Sequence, residues 1–168
     1  MKEMRDNIIL IGMPTSGKST VGVVLAKILG MDFMDTDIII QRREGSKLNE
    51  IIETYGIDGF LKREEQALLS IDVSHTVIAT GGSAVYSDNA MKHLSKNANV
   101  VYLNISLEDL KKRLVDTKDR GVIIRPDESI DKMYESRSIL YEKYAEITVK
   151  EEGSSIEDTI RAVINRLR

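Results

Sequence analysis

Residues 12–19 read GMPTSGKS, which satisfies G-x-x-x-x-G-K-[ST] at every fixed position and directly follows the apolar run NIILI, Asn7 to Ile11. No other feature constrains the fold as much, because a short buried strand must end in a glycine-bounded loop and a helix must begin where the loop stops. Backbone N–H groups then point inward and the helix adds the positive end of its dipole, so the loop can hold phosphate. Within it Lys18 reaches the β- and γ-phosphates of a nucleotide, and the Ser19 hydroxyl can take one position on Mg²⁺. Gly12 and Gly17 suit close backbone approach and positive φ. Pro14, Thr15, Ser16 and Thr20 complete the nucleotide-binding stretch.

Further apolar runs with strand character lie at 32–34, 76–79, 99–103 and 147–149, with helical patterns between them. Val21, Leu25, Ile28 and Leu29 form one apolar stripe, and Ile156, Ile160, Val163, Ile164 and Leu167 another. Ser106 with Asp109, and Ser155 with Asp158, place caps and acids where helix N-termini favour them. The alternation predicts an α/β fold with a mostly parallel, doubly wound sheet, its ligand beyond the carboxyl ends of the strands. A chain of 168 residues suits one domain. With zero cysteines, no leader pattern and no apolar stretch of membrane-span length, it is expected in the cytoplasm with no membrane partner. A net charge of -3 gives no electrostatic case for nucleic acid, which leaves a small anionic ligand handled locally. His75 and His93 have no metal-ligand spacing and are expected on the surface or in a loop.

Phosphoryl transfer needs carboxylates and cations around a positioned hydroxyl. Asp35 and Asp37, in FMDTD, follow the short strand at 32–34 and can divide metal and substrate work, although helix capping accounts for one of them. Thr80, Gly81, Gly82 and Ser83 follow the strand at 76–79, either as a plain turn or as a place where substrate meets backbone donors. Arg137 lies on a helix, where a buried guanidinium can clamp a carboxylate. Residues 117–128, TKDRGVIIRPDE, read either as a surface loop or as a mobile lid carrying Arg120 and Arg125.

In their order, GMPTSGKSTVGVVLAKIL, FMDTD, ATGGSAV, VVYLN and ESRSILYEKYAEITV resemble the shikimate kinases, small P-loop kinases that phosphorylate a hydroxyl of shikimate with ATP. The resemblance runs over nearly the whole chain. It implies a three-layer α/β/α P-loop domain over residues 1–168, a five-stranded parallel sheet in the order 2-3-1-4-5, a substrate-binding helical segment at about 36–72 and a lid at about 114–128. It also implies ATP and Mg²⁺, a small-molecule acceptor and a monomer. Lys18 and Ser19 would serve the phosphates and the metal, and Asp35 would lie near the metal and the transferring phosphate. Asp37, Gly81, Gly82 and Arg137 would bind the acceptor, Arg113 would lie along the adenine, and Arg120 would close from the lid.

Three positions depart from the family pattern. The family's G-x-x-x-F-R-x-x-E reads GIDGFLKRE here, so Leu61 stands where an arginine would share the acceptor carboxylate with Arg137. Losing such a charge-assisted hydrogen bond costs about 1.5–3 kcal/mol. Lys62 and Arg63 point about 100° and 200° away from Leu61 around a helix and replace it only with rearrangement. Ser83 stands for the third glycine of GGG, and RGVI for RPLL. Two other readings remain at this point: the same kinase acting on a different hydroxylated metabolite, and a non-catalytic nucleotide-binding switch.

Overall fold

The computed structural model describes residues 5–115, 122–151 and 155–168. Its elements run β1 (Asn7–Ile11), α1 (Lys18–Leu29), β2 (Asp32–Asp35), α2 (Thr36–Glu44), α3 (Leu48–Leu69), β3 (Thr76–Ala79), a 3₁₀ turn (Ala84–Tyr86), α4 (Asp88–Ser95), β4 (Ala98–Asn104), α5 (Leu107–Val115), α6 (Ile130–Tyr144), β5 (Ile147–Lys150) and α7 (Ile156–Leu167). The strands form one sheet in the order β2-β3-β1-β4-β5. Every neighbouring pair is parallel.

Alternation along the strands sends side chains to two different cores. Ile9, Ile11, Ile78, Val100 and Tyr102 join Leu68, Met91, Met133 and Tyr141 on one face. Ile8, Leu10, Val77, Val101 and Leu103 join Val21, Leu25, Ile160 and Val163 on the other. A parallel sheet covered on both sides reads as continuous apolar runs, as these strands do. A third cluster, Ile40, Ile51, Phe60, Ala67 and Ile123, joins α2 and α3 to the chain just before α6.

Register aligns the chemistry. Leu10 and Asp35 both pair with Ala79, so the carboxyl ends of β1, β2 and β3 lie side by side. The phosphate loop, Asp35 and the Thr80–Gly82 turn therefore open onto one edge of the sheet. Among the described residues no helix is long and apolar enough to cross a membrane.

The apolar stripe of α1 is shorter than its sequence pattern. Lys18, Val21, Gly22, Leu25 and Ala26 are buried, while Ile28 is 57% and Leu29 36% exposed. A helix of 12 residues is about 18 Å long, whereas the four-residue strands β2 and β3 span about 13 Å, so the last turn overhangs the sheet. In α7, Ile156 in the first turn is likewise exposed, while Ile160 and Val163 carry the packing. His75 sits in a turn, as expected, but His93 lies on α4, half-buried, with Nε2 2.7 Å from the Ile71 carbonyl.

The long helix α3 is two helices joined at Gly56, whose φ of 70° and ψ of 178° are not helical. A side chain there would be strained. The break sets the direction of the second half, which carries Phe60, Leu61 and Glu64.

The packing of α1 gives a direct stability prediction. Leu25→Ala should lower the unfolding free energy by about 2–5 kcal/mol, whereas Ile28→Ala should cost less than about 0.5 kcal/mol, measured by urea denaturation.

Candidate active site

At the carboxyl edge of the sheet lies a cleft of about 480 Å³. Its lining includes Pro14, Thr15, Gly17, Lys18, Ser19 and Thr20 from the phosphate loop and α1, Asp37 from α2, and Gly81, Gly82, Arg113 and Arg137. Gly12, Ser16 and Asp35 stand just behind this wall. Gly12 is packed so closely that a Cβ would fall 2.5 Å from the Leu103 carbonyl oxygen. Ser16 is fully buried. The expected lid of about 114–128 begins inside the end of α5, and its residues 116–121, Arg120 among them, lie outside the described residues.

The phosphate end is fixed by main-chain oxygens. Lys18 Nζ donates to the Gly12 carbonyl at 2.8 Å, the Met13 carbonyl at 2.7 Å and Ser16 Oγ at 3.2 Å. Burial lowers its pKa to about 8, and the negative charge of Asp37 works against that shift. Ser19 Oγ donates to Asp35 Oδ2 at 2.7 Å. The other Asp35 oxygen accepts the Asp37 backbone N–H at 2.9 Å and caps α2, so a single carboxylate does both the capping and the loop-facing work. Arg113 Nη1 donates to the Thr15 carbonyl at 2.8 Å and lies 4.0 Å from buried Glu151.

The acceptor end is built from side chains. Arg137 is 1% exposed. Its Nε donates to the Tyr86 hydroxyl at 2.9 Å, and its Nη2 donates to the Ile123 carbonyl. One turn along α6, the Tyr141 hydroxyl donates to the Gly82 carbonyl at 2.6 Å. Thr36 Oγ1 accepts the Gly81 N–H at 3.2 Å, which ties the glycine turn to the start of α2.

Glu64, from the second half of α3, is 2% exposed. Its Oε1 accepts from Ser83 Oγ at 2.8 Å, whereas buried Oε2 has no hydrogen-bond partner among the described residues. Burial pushes the Glu64 carboxyl up to about 7, Ser83 and Arg137 pull it down, and Asp37 adds to the rise. Asp37 is pushed up to about 6, first by burial and then by Asp35, with Lys18 opposing. Leu61 turns into the apolar cluster around Phe60. Arg63 is held away from the acceptor end by Glu44 at 3.1 Å and the Gly59 carbonyl at 3.0 Å, and it stacks on Tyr55. Lys62 is exposed.

The sequence reading assigned no role to Glu64, Tyr86, Tyr141 or Thr36. Glu64 and Tyr141 stand inside the quoted stretches GIDGFLKRE and ESRSILYEKYAEITV, and the i, i+4 spacing of Arg137 and Tyr141 placed both on one helix face. Nothing local marked Tyr86.

A phosphate loop on the central strand of a 2-3-1-4-5 parallel sheet, facing an aspartate and a buried guanidinium across one cleft, defines a P-loop phosphotransferase for small molecules. The family model for shikimate kinase matches residues 14–168. A shikimate kinase of Clostridium botulinum (strain Loch Maree / Type A3) is 36% identical over 163 residues, covering 95% of this chain and 94% of the relative. The shikimate kinase of Acinetobacter baumannii, solved in complex with shikimate, superposes with a TM-score of 0.86 at 29% identity, covering 98% of this chain and 94% of that one. The enzyme of Aquifex aeolicus gives 0.81 at 34% identity, covering 96% and 95%. The chain belongs to the shikimate kinase family. It is accordingly an ATP-using kinase that transfers phosphate to an alcohol group of a small molecule.

The glycine turn supplies the test of the acceptor end. A Cβ on Gly81 would fall 2.8 Å from Asp37 Oδ1, so Gly81→Ala should displace that carboxylate. The expected result is at least a tenfold rise, roughly, in KM for the acceptor with ADP affinity unchanged, measured by steady-state kinetics and calorimetry.

Proposed function

We propose that this enzyme converts shikimate to shikimate 3-phosphate with ATP and Mg²⁺. The observation that carries the reading is the meeting of the phosphate loop, Asp37 and Arg137 in one cleft. A carboxylate-bearing ring seated on Arg137 would direct its hydroxyls toward Asp37 and the γ-phosphate held by the loop. Asp37 accepts a hydrogen bond from a substrate hydroxyl, and the Gly81–Gly82 turn lets the ring approach the backbone. The attacking oxygen bonds to the γ-phosphorus as the bond to the β–γ bridging oxygen breaks. ADP leaves, and the hydroxyl proton passes to the carboxylates at the end of β2.

Ser19 Oγ and Asp35 Oδ2, 2.7 Å apart, form a hard-oxygen pair that suits Mg²⁺. Among the described residues no group of three or more His, Cys, Asp or Glu could hold a metal, which fits an ion held by one or two protein oxygens together with phosphate and water. Bound there, Mg²⁺ would neutralise charge on the β- and γ-phosphates. Lys18 adds its ammonium charge to the same oxygens, Arg113 flanks the adenine, and Arg120 is assigned the transferring phosphoryl group by its place in the sequence. Donor and acceptor ends both come from one chain, so a monomer suffices. A cytoplasmic site of action suits an ATP-consuming enzyme with zero cysteines.

A coupled assay of purified protein is expected to give shikimate-dependent ADP formation, with kcat reduced about a hundredfold or more in Lys18→Ala. A lack of ADP formation at millimolar shikimate rejects this acceptor.

The lowered pKa of Lys18 sets the pH dependence of nucleotide binding. The protonated form attracts phosphate, so ADP affinity should be level below about pH 8 and weaken by up to about tenfold per pH unit above it. Lys18→Met should flatten that profile, read by calorimetric titration.

A further inference from the structure

Among the described residues lining the cleft, the cations are Lys18, Arg113 and Arg137. Lys18 is gathered by loop carbonyls and Arg113 lies against Thr15, both at the phosphate end. Among the described residues, Arg137 alone of these cations lies at the acceptor end, and its Nε and Nη2 already donate to Tyr86 and Ile123, leaving Nη1 beside Gly82. Two carboxylates, buried Glu64 and half-buried Asp37, lie at the same end of the cleft as this guanidinium. Asp37 Oδ1 and Glu64 Oε2 converge on the side of Gly81 that a side chain would occupy, 2.8 and 3.1 Å from that point. Oε2 has no hydrogen-bond partner among the described residues, an arrangement that leaves a buried acceptor unsatisfied at a cost of about 1–3 kcal/mol.

Two converging carboxylate oxygens attract hydrogen-bond donors and repel anions, and among the described residues Leu61 supplies no second cation for a carboxylate, since it packs into the apolar cluster. Leu61 lies three residues before Glu64, hence on the same helix face, where a cation would have balanced the orphan oxygen. Ser83 instead holds the other Glu64 oxygen from the glycine turn and keeps the acid in place.

We infer that the acceptor end reads hydroxyl donors and does not require a carboxylate, so that the enzyme also phosphorylates neutral polyols of shikimate's size, with Glu64 as a specificity-determining residue. This rests on the reading of the cleft as a kinase site for a shikimate-sized acceptor.

The test compares shikimate with its carboxamide, which keeps the ring hydroxyls and loses the charge, as acceptors for the purified enzyme with ATP. The expected kcat/KM values lie within about tenfold of each other. Leu61→Arg and Glu64→Gln should each shift the ratio toward shikimate by about tenfold or more, the first by adding a cation and the second by removing an anion. A ratio taken within one variant cancels any loss of folded protein. A wild-type preference for shikimate above about a hundredfold, or a ratio unmoved in both variants, overturns the inference while leaving the kinase reading standing. Failure to turn over either acceptor overturns the reading of shikimate as the acceptor and this inference with it.

Discussion

The burial of the Arg137 guanidinium is the interaction on which the acceptor end depends. A charge removed from water must be surrounded by oxygen atoms or it costs several kcal/mol. Here those oxygens come from the Tyr86 hydroxyl and the Ile123 carbonyl, 51 and 14 residues away in sequence. The 3₁₀ turn, the chain before α6 and α6 itself are therefore brought together by a single side chain. Tyr141, one turn further along, extends the same docking to the glycine turn. The acceptor wall exists only when these elements are assembled.

The phosphate end is held differently. Lys18 is fixed mainly by the carbonyls of Gly12 and Met13, which no side-chain substitution can remove. The acceptor end is held by Arg137, Tyr141, Glu64, Ser83 and Thr36, all of which a point mutation can alter. The anchoring of Lys18 is therefore less exposed to point mutation than the acceptor wall, which is sensitive at each supporting residue. Acceptor choice can change on this scaffold while the nucleotide site stays as it is.

The phosphate loop and the strands were legible because their signals are local. Glycines mark the loop, and buried parallel strands read as apolar runs without needing their partners. Strand order was not local information; it came from resemblance, and the structure has that order. Ile28 and Leu29 were misplaced because periodicity reports which face a residue occupies and not how far the sheet beneath extends. The acceptor end was half legible. Arg137 and Asp37 stood out as charged residues in quoted motifs, but the Glu64–Ser83 bond spans 19 residues and Tyr86 meets Arg137 across 51, and no window of sequence contains either pairing. The effect of Leu61 likewise became specific only when Arg63 was found engaged with Glu44 and Tyr55.

The non-helical backbone at Gly56 makes the phase of the second half of α3 independent of the first. The residues that choose between acceptors thus ride on a short helical cassette whose rotation is set by one dihedral pair. A change in that pair would turn Leu61 and Glu64 together relative to the glycine turn. Divergence of acceptor range within such a fold can then begin at a hinge that touches neither ligand.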